Sequence, residues 1–326
     1  MEEGFRLWAN PSSPHAEGRR ARAALENARE RIKAALGWQG ELIFTSGASE
    51  ALAIGLGRAK AERRIVSAVE HDAVFRAAPD APTLPVAGGA IDPDAWAQVL
   101  AGDGRAVIAI QSINSETGTV LSLENGQAAA IAQAGGLLLR DCSQSAGKLA
   151  LPDADMIVIA AHKFGGPIGI GALLVKDFAM LDPVGGHERG YRAGTENLPG
   201  ALGMAAALEA GDIAGWPTTA DQRIDFKAGL AAHGEVLTPG VQCSHILALA
   251  HPTLSAQALL IRLDAMGFAV SAGSACSSGT LKTSRVLGAF GIDSETAART
   301  IRISIGWTTT PEELDRFADA WASLAP

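Results

Sequence analysis

Apolar positions along this chain recur in two different ways. From His15 to Leu36, "HAEGRRARAALENARERIKAAL", alanine, leucine and isoleucine return every three or four residues among arginine and glutamate. That spacing predicts an amphipathic helix stopped at Gly37. Beyond it come short runs that are apolar on consecutive positions: "ELIFT" (41–45), "RIVSAV" (64–69), "AVIAIQSI" (106–113), "LLLRD" (137–141), "MIVIAA" (156–161) and "GALLV" (171–175). Strands of this kind are covered on both faces, as in a mostly parallel sheet between helices. Helical stretches follow the first three: "ASEALAIGLGRA", "DAVFRAA" and "ENGQAAAIAQAG". The alternation predicts an α/β architecture.

After the helical stretch "ENLPGALGMAAALEAG" the pattern changes. "CSHILALA" (243–250), the helix "SAQALLIRLDAMG", "FAVSAG" and "TIRISIGW" (300–307) predict a smaller α+β unit, closed by the helix "PEELDRFADAWASLA". A boundary is expected near residue 208, giving a large domain over 13–208 and a small one over 209–326 together with residues 1–12.

Composition narrows the function classes. The 326 residues are 48% hydrophobic and 19% charged, a soluble globular balance, and the net charge of −8 argues against a nucleic-acid surface as the main function. No apolar run reaches membrane-spanning length, and "MEEGFRLWANPSSP" lacks the basic start and apolar stretch of a signal peptide. Cys142, Cys243 and Cys276 are too few and scattered for a disulfide framework and have no metal-site spacing, so a reducing cytoplasm and no metal are expected.

The candidate chemistry gathers where the apolar runs end, because ligands of a parallel sheet sit beyond the carboxyl ends of its strands. The first run ends in "TSGASE", a Ser-Gly turn opening a helix, which is either a plain cap or a phosphate site. The second delivers His71, either a structural hydrogen-bonder or a functional imidazole. A later run ends in "RDCSQSAGK", delivering Asp141 and Gln144, and the next in "AAHKFGGPIG", delivering His162 and Lys163. A phosphate site, an imidazole, a carboxylate and a lysine at one crevice are the parts needed to hold pyridoxal phosphate: the lysine for a Schiff base, the acid for the pyridinium nitrogen. Lys148 competes with Lys163 but follows a turn and reads as solvated. In "SAGSACSSGT" (271–280) Cys276 has almost no bulky neighbours, unlike a core cysteine, whereas Cys142 and Cys243 read as packed. Arg302 can grip a carboxylate through paired hydrogen bonds or serve a structural salt bridge.

Several ordered blocks carry a resemblance: "FTSGASEA", "EHDAV", "NSETGTV", "DCSQSAGK", "AAHKFGGPIGIGAL", "GGHERGYRAGTEN", "SAGSACSSGTLKTSRVLGAFG" and "TIRISIGWTTTPEEL". From about Glu41 onward the chain resembles the cysteine desulfurases of the NifS/IscS type, within the class V aminotransferase group of fold-type I pyridoxal-phosphate enzymes. The resemblance implies that Lys163 holds the cofactor with His162 beside it, that His71 stacks on the ring and shuttles protons, and that Asp141 and Gln144 meet the ring nitrogen and phenolic oxygen. It places Ala48 and Ser49 at the phosphate, with Thr195 reaching the cofactor of the other subunit of a homodimer. Arg302 would hold the carboxylate of L-cysteine, and Cys276 would take its sulfur as a persulfide, releasing alanine and passing sulfur to an acceptor protein for iron–sulfur clusters or other pathways.

Three positions depart from the family pattern. The usual opening segment is replaced by "FRLWANPSSPHAEG". Ala160 stands where a phosphate-binding serine is common. Ser115 stands where an asparagine usually contacts cofactor or substrate, with Asn114 adjoining it as a substitute on the substrate side. The same scaffold also admits lyase or aminotransferase chemistry on selenocysteine or a cysteine conjugate, or a shortened non-catalytic paralogue.

Overall fold

A computed structural model of the protein describes residues 1–7, 9–123, 126–273 and 284–325. Cys276 lies outside the described residues. The chain opens with α1 (Glu2–Arg6) and α2 (Ala16–Leu36), then β1 (Glu41–Thr45), α3 (Ala48–Gly57), β2 (Arg63–Ser67), α4 (Asp72–Ala77), the short strands β3 (Thr83–Leu84), β4 (Val86–Ala87) and β5 (Ala90–Ile91), and α5 (Pro93–Leu100). There follow β6 (Ala106–Gln111), α6 (Gln127–Gln133), β7 (Leu137–Asp141), β8 (Met156–Ala160), β9 (Gly171–Val175) and α7 (Leu198–Glu209). The remainder comprises α8 (Ala220–Leu230), β10 (Glu235–Leu237), β11 (Ile246–Ala250), α9 (Ala256–Ala265), β12 (Ser271–Ala272), α10 (Arg285–Ala289), α11 (Ser294–Ala298), β13 (Thr300–Ser304) and α12 (Pro311–Leu324).

The larger sheet has the order β1-β9-β8-β7-β6-β2-β3. Strands β8, β7, β6, β2 and β3 run parallel, and β9 runs back antiparallel between β8 and β1. Successive strand residues point to opposite faces, so one apolar run feeds two cores. Ile108 and Ile110 pack with Leu25 of α2 and Ala205 of α7, while Val107 and Ala109 pack with Leu52 of α3 and Val74 of α4. This is why consecutive positions are apolar. The fold is the expected α/β sheet between helices, with a second, antiparallel sheet of order β10-β11-β13-β12 packed against α8, α9 and α12.

The helix read from residue 15 runs Ala16–Leu36, capped by His15 and ended by Gly37 at φ 66°. At the start of the chain α1 packs on α7, which also packs on α2. A side chain on Gly4 would come within 2.5 Å of Pro199 Cα, so only glycine permits this approach. Among the described residues no helix is long and apolar enough to cross a membrane.

Candidate active site

Because β9 reverses, β1 points the same way as β8, and the carboxyl ends of β1, β2, β6, β7 and β8 open on one rim. After β8 a tight turn, Ala161–Lys163, is pinned by the buried Ala161 carbonyl, which accepts from Phe164 N at 3.1 Å and Gly166 N at 2.9 Å. This leaves His162 and Lys163 exposed at the rim. Burial, with Lys163 adding repulsion, pushes the His162 pKa below its usual value.

Asp141, at the end of β7, is 8% exposed, and its Oδ1 accepts from Ser143 N (2.9 Å) and Ser143 Oγ (2.6 Å). The residue therefore shapes the turn towards Gln144, as a capping acid would, while presenting a buried carboxylate to the rim. His71 caps α4, its Nδ1 accepting from Ala73 N at 3.1 Å. Burial lowers its pKa against the pull of Asp141, favouring a neutral ring that carries its proton on Nε2. At the end of β1, Gly47 opens α3 without a side-chain cap, and nothing lies within 4 Å of where its side chain would be. Ala48 is half-buried and Ser49 exposed beside that opening.

Arg302, on β13, donates to Ser115 O at 3.1 Å and to Ser271 Oγ at 2.9 Å. It lines, with Gln144, Lys148, His162, Lys163 and His245, a cavity of about 430 Å3 between the two sheets. The lysine and the arginine thus reach one chamber from different sheets.

Two expectations change here. Asn114, expected to face substrate, is 1% exposed, and its amide is consumed inside the turn: Nδ2 donates to Val69 O, and Oδ1 accepts from Glu116 N, Thr117 N and Thr117 Oγ1. Lys148 is not solvated but 7% exposed, and burial lowers its pKa to about 8.

Thr195 is exposed on a loop held by a strained turn. Glu188 and Arg189 take the left-handed φ values 47° and 56°. The buried Glu188 carboxylate fixes them by accepting from Arg29 Nη1 (2.8 Å), Arg29 Nη2 (3.0 Å) and Phe44 N (2.7 Å).

The sequence reading missed Glu70, a buried acid directly after the apolar run 64–69. Its Oε1 accepts from Ser67 Oγ and Gln111 N, while Oε2 has no partner among the described residues. Burial, with Asp141 adding to it, pushes its pKa up from 4.5 to about 8. Between those values the folded protein keeps a proton that the unfolded chain releases, so this group makes stability fall as pH rises through that window. Glu70→Gln is expected to remove that slope and to raise stability at pH 8 by on the order of 1 kcal/mol or more. Urea unfolding at pH 5 and pH 8 checks it; parallel pH dependence in both proteins refutes it.

The family model described as Aminotransferase class-V matches residues 2–317. A cysteine desulfurase from Cereibacter sphaeroides is 34% identical over 96% of this chain and 87% of its own length. The chain belongs to the class V aminotransferases, on their cysteine desulfurase branch. Members of this class are pyridoxal-phosphate enzymes, and the class V fold is shared by a solved NifS-like protein (TM-score 0.87, 27% identity, 99% of this chain and 94% of that one). The SspA protein, solved in complex with cysteine, is also similar (TM-score 0.76, 27% identity, 95% and 96% covered).

Proposed function

We propose that this class V enzyme is a cysteine desulfurase that converts L-cysteine to L-alanine and leaves the sulfur as a persulfide on Cys276. The observation that carries the reading is the shared chamber: Lys163 at one side for an amino group, Arg302 from the other sheet for a carboxylate. The occurrence of cysteine with SspA supports the substrate.

The rim suits pyridoxal phosphate in its donor chemistry. The uncapped start of α3, with Ala48 and Ser49 and open space at Gly47, offers N–H groups to a phosphate. The buried carboxylate of Asp141 favours a protonated ring nitrogen, and Gln144 is at hand for the ring oxygen. When bound, the cofactor supplies an electron sink for bonds at the substrate carbons.

The protein's own groups do the rest. Lys163 would hold the cofactor and receive and return a proton, with His162 beside it. His71, whose burial favours the neutral ring, would stack on the cofactor and relay a proton. Arg302 orients the substrate carboxylate, held in place by the carbonyl of Ser115. Cys276 receives sulfur as its thiolate, so that the Cys276 S–H and the substrate's C–S bond break while an S–S bond forms and alanine gains the hydrogen. Exposed Thr195 completes the phosphate site of a second copy in a homodimer, and an acceptor protein takes the persulfide for iron–sulfur cluster or other sulfur-transfer chemistry.

Cys276→Ala is expected to cut sulfide release from L-cysteine by roughly 100-fold or more while the yellow colour is retained. Alanine and sulfide assays with a reductant check this. Undiminished release by the variant, or turnover of selenocysteine or a cysteine conjugate in place of cysteine, defeats the assignment.

A further inference from the structure

We infer that His245 is a positioning residue that, with Lys148, clamps the main-chain carbonyl of Gln144 and so ties the sheet bearing Arg302 to the cofactor side of the rim. The inference rests on the proposed function for the role of Gln144. His245 Nε2 lies 3.1 Å from Gln144 O across 101 residues of sequence, and Lys148 Nζ donates to the same oxygen at 3.0 Å. A carbonyl only accepts, so Nε2 carries the hydrogen. Burial, with Lys148 and Arg223 opposing a second proton, drives the His245 pKa down to about 4. The ring is therefore neutral, and its Nδ1 has no partner among the described residues.

The other end of His245 is equally fixed. Its carbonyl accepts from Ile305 N at 2.9 Å, continuing the ladder in which Ile246 faces Ser304 and Ala248 faces Arg302. A continuous path thus runs from Gln144 O through His245, β11 and β13 to Arg302. Trp216 meets the imidazole edge-on at 6.1 Å. Lys148, facing Cys243 and Lys163, is pushed down to about 8 by burial and is a donor whether charged or neutral, so the clamp persists across that range.

The test is the pH titration of the visible band of the cofactor-loaded enzyme. A donor to the ring oxygen stabilises its anionic form and lowers the midpoint, so a displaced Gln144 raises it. His245→Met, which fills the buried space without a donor, is expected to raise the midpoint by about half to one pH unit. Lys148→Met should act in the same direction, and His245→Gln, whose amide retains an N–H donor, should restore the midpoint. Because Lys148→Met leaves the contact between sheets intact, it decides the matter if His245→Met fails to fold. A midpoint unmoved in the folded variants, or His245→Gln behaving like His245→Met, overturns the clamp. A wild-type protein that takes up no visible band defeats the proposed function instead.

Discussion

Lys163→Ala is expected to leave a folded protein whose desulfurase rate has dropped by at least about 1,000-fold. Lys163 is exposed at the end of a turn whose main-chain hydrogen bonds are made by Ala161, Phe164 and Gly166, so the substitution leaves the backbone of the turn intact. Stability should stay within about 0.5 kcal/mol of wild type. The chemical readout is sharper than the rate. Borohydride reduction of the loaded wild type should place the cofactor on residue 163, and peptide mapping of the variant should find no label. Lys148 is the informative competitor, because its burial keeps more of it neutral near pH 8 than an ordinary lysine. It is spent on the Gln144 carbonyl and shut into the chamber wall. A label on Lys148 in the wild type would overturn the assignment of Lys163.

Arg29→Met is expected to cost about 3 to 5 kcal/mol, because it takes the counter-charge from the buried Glu188 carboxylate. Arg29 and Glu188 are 2% and 4% exposed, and the guanidinium also donates to Leu42 O and lies 4.7 Å over the Phe44 ring. Burial opposes the charge on Arg29, but Glu188 and Glu26 hold its proton more firmly than usual. The double variant Arg29→Met with Glu188→Leu should recover part of the loss, since no unpaired charge remains buried. Guanidinium unfolding measures both. A single-variant loss under about 1 kcal/mol would show that the pair does not govern the turn.

The α/β pattern was legible because every central strand is covered twice. Runs such as 137–141 and 171–175 coincide with strands residue for residue, whereas 106–113 and 156–161 continue past the ladder. There apolarity reports burial beyond the strands themselves: Ile113, in an isolated bridge to Val120, and Ala161 are 2% and 0% exposed. The strands β3, β4 and β5 have two residues each, too short to show a period. Lysine, aspartate and histidine at the strand ends stood out as polar groups in apolar surroundings. His245 did not, since it reaches Gln144 across 101 residues of sequence, and Lys148 was noticed but read as solvated because its burial depends on that distant segment. Asn114 was named because it adjoins Ser115, where the family pattern has an asparagine; its bonds to Val69, Glu116 and Thr117 show only in the fold. Cys276 was singled out from its sequence neighbourhood and lies outside the described residues.

Among the described residues, β1 of the larger sheet has β9 as its only ladder partner. As the chain leaves the ribosome, the first strand made must therefore wait for the last strand of that sheet. Until residue 175 has emerged, "ELIFT" is an apolar segment with its main-chain groups unmatched, the kind of surface on which nascent chains aggregate. Translation speed through the middle of the message, and holdase chaperones acting on that interval, should matter more to the yield of this protein than the stability of the finished molecule.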